Sequence, residues 1–239
     1  MNLKTLILTN NDCYKAGKTI VPKGIMVHST GSNNPWLKRY VGPDDGLLGQ
    51  NIYNNHWNTP KPGGRQVCVH AFIGKLADGS IATYQTLPWN HRGWHAGSGS
   101  SGSANDTHIG FEICEDDLTD ATYFRRVFIE AVDLCVYLCK LYNLTEKDII
   151  CHSEGYKLGI ASNHADVMHW FPRHCENMDS FRAAVKEGLT KASSAPELSV
   201  GNGKKYYTVQ VGAFASKENA ETMLKKLKET GFEGFIKYN

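Results

Sequence analysis

Three histidines follow short apolar runs that are typical of β-strands. They are His28 after Ile25-Met26-Val27, His70 after Val67-Cys68-Val69, and His152 after Ile149-Ile150-Cys151. A lone histidine beside apolar residues is more often a hydrogen-bonded structural residue than a metal ligand, but several histidines together with acids change that balance. A catalytic zinc site uses three protein ligands, often imidazoles and a carboxylate, and leaves one position for water. His28, His152 and a member of His164-Ala165-Asp166 supply these residue types.

A carboxylate in the middle of a predicted strand, Glu112, is the second chemical signal. Side chains alternate between two faces of a strand, so Ile109, Phe111 and Ile113 share one face and Glu112 lies on the other. We expect the apolar face to pack against a long helix. A buried carboxylate is costly unless it is paired or functional, and the alternative is an exposed face of an antiparallel sheet. Both interpretations of Glu112 remain open at this stage.

The elements that must position these residues are short strands and helices. Strands are predicted over 24–30, 67–73, 80–86 and 108–114, with a hairpin turn at 77–80. Helices are predicted over 120–142, with Asp120 as the capping residue, and over 180–189. This mixture predicts an α/β architecture around a central sheet. The long irregular stretch 33–64 is predicted either to line a substrate groove or to pack down as a loop, through Trp36, Tyr40, Tyr53 and Trp57.

The composition changes after residue 189. Residues 190–204 are mostly Ser, Ala, Gly, Asn and Lys, which is typical of a flexible linker. The length of 239 residues agrees with one full domain and a remainder. We therefore predict a catalytic domain over 1–189, a linker over 190–204 and a small unit over 205–239.

The overall composition excludes several classes of protein. There are 26 Lys+Arg and 24 Asp+Glu, a net charge of +2, which gives no reason to expect nucleic acid as the partner. No apolar run approaches the roughly 18 residues of a spanning helix, so no stable membrane insertion is expected. The N-terminus lacks the pattern of a signal peptide, so we expect cytoplasmic synthesis and release by another route. The seven cysteines contain no Cys-x-x-Cys pair and are predicted to be mostly reduced, buried thiols.

Six short motifs occur in a fixed order between residues 20 and 185. They are Gly24-Ile25-Met26-Val27-His28-Ser29-Thr30-Gly31, Val69-His70-Ala71-Phe72-Ile73 with Asp78-Gly79-Ser80-Ile81 and Tyr84-Gln85, Trp94-His95-Ala96-Gly97, Asn105 to Ile113, Cys151-His152-Ser153-Glu154-Gly155, and Asn163-His164-Ala165-Asp166. Together they resemble the type 2 zinc N-acetylmuramoyl-L-alanine amidases, which share a fold with peptidoglycan recognition proteins and phage amidase-type lysozymes. The resemblance implies a central mixed β-sheet flanked by helices, Zn²⁺ as the cofactor and peptidoglycan as the partner.

The resemblance also implies a ligand set. His28 and His152 match two zinc ligands. The third ligand of the family is Cys or Asp, followed by Pro-Gly and preceded two positions earlier by an assisting Lys or Thr. No Pro-Gly follows here, which leaves His164 and Asp166 as candidates. We align Asp166 with the ligand and His164 with the assisting catalytic residue, and the alternative places His164 on the metal.

Three further residues match positions of the family near the cleft. Glu112 matches the acidic catalytic residue, which takes a proton from the attacking water and passes it to the leaving amine. His70 and His95 match positions that do not bind the metal. We treat both histidines as candidate substrate contacts.

The C-terminal unit resembles half of a second known domain. Strands are predicted over 205–214 and 232–238, on either side of an amphipathic helix over 216–230 with Ala220, Met223, Leu224 and Leu227 facing inward. This pattern resembles one repeat of the sporulation-related repeat (SPOR) domain, which binds glycan strands and contains two such βαβ units. A single unit of about 35 residues is too small for a stable core of its own. It is therefore predicted to form a homodimer with the same unit of a second chain, or to pack on the amidase.

These features predict a zinc-dependent hydrolase that cleaves the amide between N-acetylmuramic acid and L-alanine. The expected type is a phage or prophage endolysin that acts at the cell wall after release. The alternatives are a host autolysin, a cytoplasmic muropeptide-recycling enzyme, a non-catalytic peptidoglycan-binding protein of the same fold, and an unrelated zinc hydrolase. The presence of His28, His152, Asp166 and Glu112 favours catalysis, because a binding protein does not need metal ligands.

Overall fold

The computed structural model of the chain describes residues 1–193 and 217–229. The chain divides into two compact units, 1–193 and 194–239. The boundary predicted at residue 189 falls inside the helix Met178–Ser193 that ends the first unit. Most of the predicted linker and both C-terminal strands lie outside the described residues, so the predicted domain limits stay a prediction.

The described part of the first unit contains one mixed sheet of six strands. In chain order they are β1 (Leu3–Thr5), β2 (Gly24–Ser29), β3 (Ala71–Lys75), β4 (Ile81–Gln85), β5 (His108–Ile113) and β6 (Ile149–Cys151). Their order in space is β1-β4-β3-β5-β2-β6, and among these pairs β3 and β4 are antiparallel while the others are parallel. The strand predicted over 67–73 is shifted to later residues, because Cys68 pairs with Trp94 in an isolated bridge. The predicted hairpin and mixed sheet are confirmed.

Two long helices of the first unit, α2 (Ala121–Tyr142) and α4 (Met178–Ser193), pack against one face of this sheet. The other described helices are α1 (Asp12–Lys15), α3 (His152–Lys157) and, in the second unit, α5 (Lys217–Glu229). The Asp120 side chain caps α2 by accepting hydrogen bonds from the N–H groups of Thr122 and Tyr123, as predicted. Phe111 and its alternating neighbours in β5 are fully buried in the same core as the apolar residues of α2 and α4. Glu112 is therefore left on the opposite face of the sheet, as the alternation predicts.

The irregular segment 33–64 packs against that opposite face. Tyr40 stacks on Phe72 with 5.2 Å between ring centroids, and Trp57 meets the same ring edge-on at 5.0 Å. Trp36 and Tyr53 instead line a surface groove of about 340 Å³, and Tyr53 is 79% exposed. Each of the two alternatives predicted for this segment therefore applies to two of its aromatic residues. Tyr40 and Trp57 pack the loop against the sheet, and Trp36 and Tyr53 line a groove.

The expectation of mostly reduced thiols needs one correction. Cys13 of α1 and Cys68 form a disulfide across a sequence separation of 55 residues, and both are buried. The sequence does not indicate this pair, because cysteine spacing carries no information about which segments meet in space. The other five cysteines are free, and all of them except Cys175 are buried.

We expect the Cys68→Ser variant to unfold at a lower temperature than the wild type. A cross-link that closes a loop of this length stabilises the folded state by about 4 kcal/mol through the entropy of the unfolded chain. For a unit of this size, that loss corresponds to a decrease in Tm of about 10 °C. Scanning calorimetry without reductant measures the difference. Dithiothreitol should lower the Tm of the wild type to that of the variant, and equal values without reductant would contradict the cross-link.

The helix α5 agrees with the helix predicted over 216–230. Ala220, Met223, Leu224 and Leu227, which were predicted to face inward, are partly buried. Across the ranges 1–193 and 217–229, no helix has the length and apolar character needed to cross a membrane.

Candidate metal and catalytic site

Parallel pairing brings the predicted site residues to one edge of the sheet. β2 pairs in parallel with both β5 and β6, so the carboxyl ends of all three strands lie together. His28 and Glu112 are direct partners across β2 and β5. His152 is the first residue of α3, directly after β6. The carboxyl edge of such strands is where open α/β sheets bind ligands.

Three side chains converge at this edge. The Nδ1 atom of His28 lies 3.0 Å from Oδ2 of Asp166 and 3.1 Å from Nδ1 of His152. The third separation, from His152 Nδ1 to Asp166 Oδ2, is 3.7 Å. Tetrahedral zinc with bonds of about 2.1 Å places its ligand atoms about 3.4 Å apart. The three donors therefore fit a zinc ion in both type and spacing.

Two members of this group, Asp166 and His152, have protonation states that suit a metal, whereas the contact with Asp166 favours a proton on His28. Burial opposes the charged form of His28, but its hydrogen bond with Asp166 and the charges of Asp166 and Glu112 together outweigh burial and raise the pKa of His28. Burial would raise the pKa of Asp166, but its hydrogen bond with His28 and the charges of His28 and His152 together lower it. Burial, followed by repulsion from His28, lowers the pKa of His152 to about 4. At neutral pH, Asp166 is thus a carboxylate and His152 a neutral imidazole, the forms in which these residues bind zinc.

Glu112 lies on the same face of the sheet as His28, and one of its carboxyl oxygens makes no hydrogen bond to the described residues. Its Oε2 is buried and has no hydrogen-bond partner among the described residues. Burial raises the pKa of Glu112 to about 8; His28 opposes this shift, and Asp166 and Glu115 add to it. β5 is central in the sheet and parallel to both neighbours, so the alternative of an exposed antiparallel face is wrong. A buried carboxyl group that titrates near neutral pH is typical of a general acid or base.

The two candidates for the third ligand lie in different environments. Asp166 belongs to the group of converging donors, together with His28 and His152. His164 is exposed and meets His152 edge-on, with 4.7 Å between ring centroids. This arrangement supports Asp166 as the ligand and His164 as the assisting residue beside it. Both roles stay predictions, and variants that test them are given in the Discussion.

His95 contacts the Nε2 side of the His28 ring, which faces away from Asp166 and His152. Its Nδ1 lies 3.0 Å from Nε2 of His28, and its Nε2 lies 3.3 Å from the carbonyl oxygen of His108. If His28 Nδ1 carries no proton and is free for a metal, His28 Nε2 donates to Nδ1 of His95, and His95 Nε2 donates to the carbonyl oxygen of His108. The ring lies directly on Gly110, where a Cβ atom would collide with it. His95 therefore holds the ring of His28, a role that its earlier interpretation as a candidate substrate contact did not include.

We expect the His95→Ala variant to bind zinc about 10- to 100-fold more weakly, the usual loss when a partner of a metal-binding histidine is removed. The asparagine of a His95→Asn variant can still accept the proton of His28 Nε2 and should bind more tightly than His95→Ala. Competition with a chromogenic chelator measures both affinities. Equal affinity of His95→Ala and the wild type would show that the contact has no effect on the metal.

The interpretation of His70 as a substrate contact is corrected by its burial. The ring is 0% exposed, its Nδ1 accepts the N–H of Gly110 at 3.0 Å, and its Nε2 donates to the carbonyl oxygen of His91 at 2.8 Å. No atom of the ring is free for a substrate. His70 joins β5 to the segment around His91 and has a structural role.

We expect His70 to make the folded chain sensitive to acid. Burial lowers its pKa to about 4, whereas an unfolded chain binds this proton near pH 6.5. The unfolded state is therefore favoured as the pH falls from 6.5 to about 4, by about 3 kcal/mol at the end of that range. Urea unfolding should show a flatter pH dependence for His70→Gln than for the wild type. Parallel pH profiles would contradict this explanation.

One contact of the donor group is not indicated by the sequence. The hydroxyl of Ser162 lies 3.3 Å from Nε2 of His152 and 3.2 Å from the carbonyl oxygen of Ala96. It can accept from His152 and donate to Ala96, which orients the second histidine of the group. A serine in a loop carries no pattern that would identify this role.

Comparison with known proteins assigns the first unit. The sequence profile described as N-acetylmuramoyl-L-alanine amidase matches residues 17–172, which is more than half of the chain. The chain belongs to the N-acetylmuramoyl-L-alanine amidase family. A second profile, the SPOR domain, matches residues 181–239 and so begins inside α4. Both resemblances seen in the sequence are therefore confirmed, with a longer SPOR match than the half-domain predicted over 205–239.

Two curated proteins show the extent of similarity within the amidase family. The N-acetylmuramoyl-L-alanine amidase CwlA of a Bacillus species is 27% identical over 154 residues, which are 64% of this chain and 59% of CwlA. The amidase XlyA of Bacillus subtilis (strain 168) is 31% identical over 110 residues, 44% of this chain and 31% of XlyA. The match thus spans less than two thirds of the length of either relative.

Solved structures share the fold of the first unit. PlyL superimposes with a TM-score of 0.55 at 19% identity, over 79% of this chain and 98% of PlyL. The catalytic domain of XlyA gives a TM-score of 0.52 at 23% identity, over 77% of this chain and 99% of that domain. The predicted fold class is therefore confirmed for the amidase unit.

Proposed function

We propose that this chain is a zinc-dependent peptidoglycan hydrolase that cleaves the amide between the lactyl group of N-acetylmuramic acid and L-alanine. The observation that carries the proposal is the convergence of His28, His152 and Asp166 at the carboxyl edge of the sheet, with the unpartnered oxygen of Glu112 on the same face. Membership of the amidase family supports the substrate. The donor spacing supports zinc.

The proposal gives each side chain a separate task. His28, His152 and Asp166 would hold a zinc ion, which would supply a Lewis acid and make a water molecule acidic enough to react near neutral pH. Glu112 takes a proton from the attacking water and returns it to the amine of L-alanine as the C–N bond breaks. His164, exposed beside His152, donates a hydrogen bond to the oxygen of the attacked carbonyl as it gains charge, which typically contributes about 3 kcal/mol.

The experiment uses the full chain on cell-wall suspensions. We expect turbidity to fall, a chelator to stop the loss and added zinc to restore it. The cleavage products should carry new L-alanine N-termini without new reducing sugars, since an amide and not a glycosidic bond is cut. If zinc-loaded protein binds walls and releases no L-alanine N-termini, the alternative of a non-catalytic binding protein is correct.

The second part of the proposal concerns where the enzyme acts. We assign it as an endolysin of phage or prophage type, made in the cytoplasm and released to the wall, with the SPOR unit binding glycan strands. The SPOR match joined to an amidase unit supports the wall as the target. Expression in a wall-bearing host should cause lysis when a pore-forming protein is co-expressed and none without it. Lysis without the pore would favour the host autolysin.

The proposed homodimer through residues 205–239 is tested separately. Analytical ultracentrifugation of the full chain should give a dimer mass, and a chain ending at residue 193 should give a monomer mass. A monomer in both cases contradicts the dimer and leaves the catalytic proposal unaffected.

A further inference from the structure

A buried carboxylate outside the donor group, Glu115, joins separate segments of the site. Glu115 lies just past the end of β5 and is 3% exposed. Its Oε1 accepts the N–H of Gly31, in the loop after β2, at 3.1 Å. The same oxygen lies 2.9 Å from Nε2 of His169, three residues after Asp166. One oxygen atom thus connects the strand ends of the site with the turn that carries the proposed carboxylate ligand.

The backbone of Glu115 reinforces the junction with the loop after β2. Its N–H donates to Oγ1 of Thr30 at 3.0 Å, and its carbonyl oxygen accepts the N–H of Asn34 at 2.9 Å. The turn around Asp166 has its own backbone contact on the other side, where the N–H of Ser153 in α3 donates to the carbonyl oxygen of Asp166 at 3.3 Å. The His169 ring adds a side-chain contact from this turn to β5.

The burial of Glu115 makes its hydrogen bonds important for the stability of this region. A buried carboxylate is unfavourable unless donors surround it, and hydrogen bonds to a carboxylate are stronger than those between neutral groups. Glu115 and His169 are outside the group of converging donors, which consists of His28, His152 and Asp166 in the described chain. Any effect of the pair on a metal is therefore exerted through the position of the Asp166 turn.

We propose that Glu115 and His169 are a positioning pair that holds the Asp166 turn against β5 and thereby sets the distance from the Asp166 carboxylate to the imidazoles of His28 and His152. The inference rests on the proposed function in one respect, namely that Asp166 binds zinc. The role assigned to the pair is positioning, without a contact to the metal or the substrate.

The test compares two substitutions of His169 in the full chain. His169→Phe keeps the ring shape and removes the donor, whereas His169→Gln can keep an N–H near the position of Nε2. We expect zinc affinity, measured by competition with a chelator, to fall about tenfold in His169→Phe and to stay close to that of the wild type in His169→Gln. The visible absorption of bound Co²⁺ should shift in His169→Phe, because the ligand geometry changes.

The same contrast can be made from the other partner. Glu115→Gln keeps an acceptor and Glu115→Met does not. Glu115→Met also removes the acceptor of the Gly31 N–H, so it should lose at least as much zinc affinity as His169→Phe. The double variant with Glu115→Met and His169→Phe should lose no more than Glu115→Met alone. This second series decides the matter if His169→Phe does not fold. Arg125→Met is the matched control, since it removes a 3.5 Å ion pair with Glu176 and should leave zinc affinity unchanged.

The outcomes separate this inference from the proposed function. Wild-type zinc affinity and Co²⁺ spectra in both His169→Phe and Glu115→Met would overturn the positioning role while the wild type still binds zinc and cleaves walls. A wild type that binds no zinc would instead overturn the proposed function.

Discussion

The Glu112→Gln variant should keep stoichiometric zinc and lose turnover by a factor of about 10² to 10⁴, the usual contribution of a general base. The amide has nearly the shape of the carboxyl group but does not accept the proton of the attacking water. In the structure, Glu112 Oε2 is buried without a partner among the described residues, so its replacement breaks no hydrogen bond of that oxygen. The expected effect is therefore on the reaction and not on the fold.

Two measurements check this prediction. Elemental analysis gives the zinc content, and the rate of appearance of L-alanine N-termini gives the turnover. Glu130→Gln is a matched control, because Glu130 is also a buried carboxylate but accepts hydrogen bonds from Asn2 and Thr83 in a different part of the fold. Substantial turnover in Glu112→Gln would show that another group moves the proton.

The His28→Ala variant should lose both zinc and turnover. His28 contacts both other donors, at 3.0 Å and 3.1 Å, and its removal leaves two ligands where a catalytic zinc site uses three. Dialysis against buffered zinc followed by elemental analysis should find less than one ion per chain at concentrations that saturate the wild type. His91→Ala is the control, because its ring stacks on Tyr14 and lies outside the group of donors.

The same measurement decides which residue is the third ligand. Asp166→Ala should lose zinc as His28→Ala does, whereas His164→Ala should keep zinc and lose part of its turnover. If His164→Ala loses the metal and Asp166→Ala retains it, the alternative assignment of His164 to zinc is correct.

The strands and the central helix of the amidase unit were predictable because their patterns are local. Alternation in β5 fixes which face Glu112 occupies, and the capping role of Asp120 follows from its position before an apolar periodicity. The segment before β3 was less predictable. Cys68 has the apolar character of a strand residue, but it pairs with Trp94 and with the sulfur of Cys13, and neither contact leaves a pattern in the sequence.

The residue types of the candidate site were predictable from the sequence, whereas the contacts between their side chains were less predictable. Histidines after apolar runs indicated His28 and His152, since the ends of parallel strands lie together. The different roles of His70 and His95 were not predictable, because each role follows from packing in three dimensions. The His70 ring is enclosed by backbone groups, and the His95 ring lies on Gly110 against His28. The contact of Glu115 with His169 joins residues 54 positions apart and has no local signal.

The direct pairing of His28 with Glu112 has a consequence for how such an enzyme can diversify. The other side of this ladder carries Val27 and Phe111, which are wholly enclosed beneath α2. Sliding either strand by a single position would move its own polar group into the apolar core and its apolar side chains to the opposite face. The spacing of the reactive pair is thus protected by the interior of the protein. Loops that do not contact these residues can therefore change length without altering the spacing of the pair.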